Sequence, residues 1–96
     1  MAKAKGEIGW KRVDEDGDRL QVRARKEAGL WRFWIRGRRY ERWLEMERGP
    51  IEDWKELADA IERRVSRGLS PPQEIDRIRR QFREEYPEYD LSTLDG

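Results

Sequence analysis

The 96-residue chain contains no cysteine and no histidine. Those absences exclude disulfides, thiol nucleophiles, imidazole bases and the usual structural zinc sites. No run approaches the roughly 18 to 20 consecutive apolar residues of a membrane-spanning helix. The N-terminus has no long apolar segment either, so no membrane partner is expected, and a cytoplasmic protein is the default. Glycines are scattered as punctuation, with no phosphate-cradling glycine-rich loop, and no internal repeat is visible. Apolar residues are 35% and charged residues 45%, a ratio that by itself points toward disorder. Five Trp, three Tyr and two Phe point the other way, because large aromatic side chains supply most of a small core. One domain with one modest core suits this length.

The net charge of +1 conceals a division. Residues 1–49 carry fourteen Lys or Arg against nine Asp or Glu, a net of +5, and residues 50–96 carry eight against twelve, a net of −4. Arg outnumbers Lys seventeen to five. A GC-rich coding background or a hot habitat would produce that bias; so would use of the planar guanidinium for bidentate contacts to phosphate, carboxylate or base edges.

The stretch from Leu20 to Met46 organises the rest. A two-residue turn at Gly37-Arg38 would pair Ile35 with Tyr40, Phe33 with Arg42 and Trp31 with Leu44. A loop over Lys26 to Gly29 would set Ala24 opposite Trp31, Val22 opposite Phe33 and Leu20 opposite Ile35. Both turns build the same apolar face, which a slip of one residue would destroy. Strand one has two registers. A tight turn at Asp16-Gly17 pairs Val13 with Leu20, whereas a longer loop over Asp14 to Asp18 turns Trp10 and Ile8 inward. Expected strands run over about 8–13, 19–25, 30–36 and 39–46, behind a leader over 1–7. In the last, Tyr40, Trp43, Leu44 and Glu47 also have helical spacing, but hairpin continuity favours a strand.

Beyond Gly49-Pro50, the residues Ile51, Trp54, Leu57, Ala58, Ile61 and Val65 recur at helical intervals. They give an amphipathic helix over about 50–67, closed by Gly68. Ser70-Pro71-Pro72-Gln73 reads as the start of a second helix over about 71–86, with Ser70 as cap and Gln73 completing a capping box. Ile75, Ile78, Phe82 and Tyr86 form its stripe, and Pro87 ends it. An acidic tail over 88–96 follows, placed across the sheet edge or hanging free. The expected fold is α+β: an antiparallel β-meander of three to four strands followed by an αα-hairpin packed on one sheet face, in two layers. Trp31, Phe33, Ile35, Val22 and Leu20 should then meet Trp54, Leu57 and Ile61.

Function is expected on the sheet's other face. With the tight first turn, Trp10, Arg12, Arg23, Arg25, Arg32, Trp34, Arg36, Arg39 and Trp43 share it. Guanidiniums meet phosphates or guanine edges and indoles stack on unpaired bases, so nucleic acid is one class of partner. The same exposed aromatics suit a protein partner or a homodimer. Glu41 and Glu45 share the face, and cross-strand ion pairs or cation–π contacts there would stabilise the sheet without any ligand. The run Leu20-Gln-Val-Arg-Ala-Arg followed by Gly29-Leu-Trp-Arg-Phe-Trp-Ile-Arg-Gly-Arg-Arg-Tyr is similar to the arm-type DNA-binding domains of tyrosine recombinases. In that family three strands stand on a helix and the sheet enters the major groove. The resemblance covers about Leu20 to Val65 and implies DNA contacts by Arg23, Arg25, Arg32, Trp34 and Arg36. No catalytic constellation, cofactor site or metal site is expected. Asp14, Glu15, Asp16 and Asp18 lack the downstream Glu of a calcium loop and read as a turn.

Overall fold

The structure is a computed structural model that describes residues 7–37 and 42–95, the last by its backbone alone. Four strands come first: β1 (Glu7–Val13), β2 (Arg19–Glu27), β3 (Leu30–Gly37) and β4 (Leu44–Met46). They form one antiparallel sheet in the order β1-β2-β3-β4. Two helices follow, α1 (Ile51–Ser66) and α2 (Gln73–Glu85), and then a 3-10 helix at Leu91–Asp95. The expected α+β meander followed by a helical hairpin is therefore the fold. By its contacts the chain divides into two compact units, Met1–Gly49 and Pro50–Gly96.

Within the sheet unit the turn chemistry sets the registers. Ala28 and Gly29 have φ of 51° and 81°, the paired positive values that a two-residue type I′ turn requires. The resulting register pairs Glu27 with Leu30, Ala24 with Phe33 and Val22 with Ile35. The four-residue loop expected over Lys26 to Gly29 is thus replaced by a tighter turn, and every pair is displaced by two residues. Strand β1 follows the longer loop. Asp14 N–H donates to the Asp18 carbonyl (2.8 Å) and Gly17 N–H to the Asp14 carbonyl (3.1 Å), with Gly17 at φ 85°. The Asp14 carboxylate caps the turn by accepting from the N–H groups of Asp16 and Asp18, both at 2.9 Å. Trp10 consequently stands opposite Val22 and Ile8 opposite Ala24. Strand β4 pairs Ile35 with Leu44 and Phe33 with Met46, which overturns the expected Trp31–Leu44 and Phe33–Arg42 pairs; Arg38 of the expected turn and Tyr40, the expected partner of Ile35, lie outside the described residues. The displacement is four residues. Displacements of two and four preserve side-chain parity, so the apolar residues keep their face although their partners change. On that face Val22, Ala24, Trp31 and Phe33 are buried, and the Trp10 and Phe33 rings meet edge to face at 6.4 Å.

In the helical unit Trp54, Leu57, Ile61, Ile78 and Phe82 are all buried. Helix α1 begins one residue later than expected. Pro50 is its N-cap, and the Pro50 carbonyl accepts from both Asp53 and Trp54 N–H at 3.0 Å. At its end Gly68 N–H donates to the Val65 carbonyl and Leu69 N–H to the Arg64 carbonyl, with Gly68 at φ 73°. Gly68, expected to close the helix, does so in a Schellman arrangement. Helix α2 starts at Gln73 rather than Pro71, and Ser70 makes no capping bond to it. A residue before proline is held out of the helical region, so Pro71, which precedes Pro72, cannot open the helix. The Ser70 hydroxyl instead accepts from Arg64 Nε at 3.3 Å. The tail does not hang free: Leu94 is buried, and the 3-10 helix contacts both α1 and α2. Among the described residues no helix is long and apolar enough to cross a membrane.

Candidate nucleic-acid interface on the polar sheet face

The registers assign each candidate residue to a side. Arg23, Arg25, Arg32, Trp34, Arg36 and Trp43 come together on the face opposite the apolar one. Trp10 and Arg12 do not join them, because the longer first loop turns both to the side of Val22 and Leu20. Arg39, with Glu41, lies outside the described residues. Sequence reading omitted Lys11 and Arg19, which the same register adds to the polar face. Alternation with Leu20 along strand two would have shown Arg19 directly, and alternation with Trp10 and Arg12 would have shown Lys11 once the loop length was known.

Two indoles form the middle of this face. Trp43 lies just before β4, with the guanidinium carbons of Arg23 and Arg36 at 4.5 and 4.8 Å from its ring centroid. Trp34 sits in β3 with Arg25 at 5.0 Å and Arg23 at 5.9 Å. Both indoles are half-buried. These are cation–π distances, and they hold the guanidinium planes over aromatic carbon at little conformational cost. Arg23 therefore touches both rings. Its Nε is enclosed and makes no hydrogen bond; the nearest carboxylate oxygen, Glu7 Oε2, is 3.7 Å away.

Polar partners complete the arrangement. Arg36 Nη2 donates to Gln21 Oε1 at 2.7 Å. Arg25 stands directly opposite Arg32 across the β2–β3 ladder, a like-charge pair that is unfavourable without an anion between. Glu27 provides one: Oε2 accepts from Arg25 Nε at 2.9 Å and from Arg25 Nη2, and Oε1 lies 3.5 Å from Arg32 Nε. Arg32 Nη1 also donates to Glu45 Oε2 at 3.0 Å. On this face Lys11, Arg19, Arg23, Arg25, Arg32 and Arg36 oppose Glu7, Glu27 and Glu45, an excess of three positive charges among the described residues.

The arrangement offers cationic hydrogen-bond donors beside flat aromatic surface. Among the described residues no group of three His, Cys, Asp or Glu could hold a metal ion. The acidic first turn uses its Asp14 carboxylate internally. No family model, curated protein or solved structure matches the chain.

Proposed function

We propose that the chain is a non-catalytic binding domain that engages nucleic acid through the polar face of its sheet, in a cytoplasmic setting. The observation that carries this reading is the cluster in which Arg23, Arg25 and Arg36 lie within 6 Å of the Trp34 and Trp43 rings. Guanidiniums supply phosphate contacts that fix a strand's position, and indoles supply stacking surface that any base can use. Unpaired strands suit such a face better than duplex, whose bases are already stacked.

The test is a titration of intrinsic Trp fluorescence with single- and double-stranded oligonucleotides at low and physiological salt. The expected result is saturable binding to single strands that weakens steeply with salt. Trp43→Ala should remove about 1–3 kcal/mol, the usual worth of one stacked base, with circular dichroism unchanged. The second reading is a protein partner or a second copy of the chain, favoured by Val13 and Leu30, 57% and 49% exposed on the same face. A flat titration accompanied by concentration-dependent light scattering would select that reading and reject the first.

A further inference from the structure

We infer that Arg25 and Arg32 form a phosphodiester subsite for single-stranded nucleic acid, and that in the unliganded protein the Glu27 carboxylate occupies it. The inference rests on the sheet-face reading above. Two guanidiniums set opposite each other on neighbouring strands repel, and they accept one anion between them more readily than either does alone. Glu27 reaches both, with one oxygen on Arg25 and the other 3.5 Å from Arg32. A phosphodiester has the same feature that matters here, two anionic oxygens on one centre.

Glu27 is suited to leave. It is the last residue of β2, beside the Ala28-Gly29 turn, and its side chain is 39% exposed. Ion pairs this exposed contribute little, so a phosphate displaces the carboxylate at small cost. Glu45 makes a second restraint, through Arg32 alone, at 3.0 Å. Bound strand and folded-back carboxylate thus compete for the same two cations, and Glu27 sets the affinity.

The experiment measures binding of a fluorescein-labelled oligothymidylate of about 12 nucleotides, within the span such faces cover. It compares the natural chain with Glu27→Gln, Glu45→Gln and Glu15→Gln. Glu27→Gln keeps the side chain's shape and should tighten binding by about twofold to thirtyfold, the combined worth of two exposed pairs; Glu45→Gln should give a smaller gain. Glu15→Gln removes the same charge from the β1–β2 loop, at the far end of the sheet, and should leave affinity within about 1.5-fold, as screening beyond a Debye length requires. Equal gains from Glu27→Gln and Glu15→Gln would overturn the subsite in favour of bulk charge. An unchanged or weakened Glu27→Gln in a natural chain that binds would overturn it and leave the sheet-face reading standing. Absence of binding by every form would remove both. A polyglutamate of matched charge is the control for acidic polypeptide, and equal competition from it would overturn the phosphodiester assignment.

Discussion

Substituting Ala28 by Asn should stabilise the sheet unit, and the size of the gain follows from one backbone angle. Ala28 has φ of 51°, where its Cβ crowds the following carbonyl at a cost of about 1–2 kcal/mol. Asn tolerates this region, and Asn-Gly is the favoured pair for a type I′ turn. Ala28 is exposed, so the methyl contributes no packing that the substitution would forfeit. About half of the strain should be recovered, near 0.5–1 kcal/mol, which for a chain of this size raises the melting temperature by about 3–6 °C. Thermal melts followed by Trp fluorescence are the assay, since four of the five Trp lie in residues 1–49. Gly29→Ala is the matched opposite: at φ 81° nothing lies within 4 Å of an added Cβ, so any loss, about 1 kcal/mol, comes from the backbone and not from a clash. A neutral or destabilising Ala28→Asn, or a tolerated Gly29→Ala, would refute the two-residue turn and with it the register that places Arg25 opposite Arg32.

Two further expectations concern the helical unit. Phe82 is fully buried, its ring 6.2 Å from Trp54 and 5.3 Å from Tyr86, so Phe82→Ala should cost about 3–5 kcal/mol in a urea melt, and a loss below about 1 kcal/mol would show that its neighbours close the gap. The N–H and hydroxyl of Ser92, with help from Arg83, hold the Asp90 carboxyl below its ordinary range; a depressed folded pKa contributes stability above the unfolded value of about 3.9, lost as pH falls through the folded one. The Ser92 amide resonance should therefore move on the acid side of pH 4 in the natural chain and stay put in Asp90→Asn, and an identical shift in both would exclude Asp90 as its source.

The fold was legible because alternation and helical spacing report faces, and faces are what packing selects. Val22, Ala24, Phe33 and Ile35 fall on one side under the expected and the observed registers alike, since both corrections move by an even number of residues. Periodicity is blind to such shifts. Which even shift occurs depends on the turns: Lys26 to Gly29 has its glycine where several loops would accept it, and only the backbone reveals that Ala28 takes positive φ as well. The first strand needed an odd choice, and there the alternation of Ile8 and Trp10 supported one loop and the Asp-Gly pair another. The Asp14 carboxylate, by capping two N–H groups, favours the longer loop and carries Trp10 and Arg12 to the other side. Ser70 failed as a cap for a reason equally local, the second proline. The candidate face was legible as a cluster of Arg and Trp, but not as a network. That Glu27 would bridge Arg25 and Arg32 depends on a turn too tight for the sequence to specify.

The salt dependence of binding distinguishes a face that merely attracts anions from one whose own carboxylates give way. Single strands lose affinity with a logarithmic slope of about −0.7 per phosphate neutralised. Were Glu7, Glu27 and Glu45 to keep their hold, the six cations of the face would offer a net of three charges and a slope near −2. Release of Glu27 alone frees one more and steepens it to about −3. Glu27→Gln begins with that charge free, so it should start at the higher net, bind more tightly and show the same limiting slope as the natural chain. Equal slopes with unequal affinities are the signature of a displaced carboxylate. A slope one unit of charge shallower in the natural chain would mean that Glu27 stays on Arg25 and Arg32 while a strand binds elsewhere on the face, through Arg23, Arg36 and the two indoles.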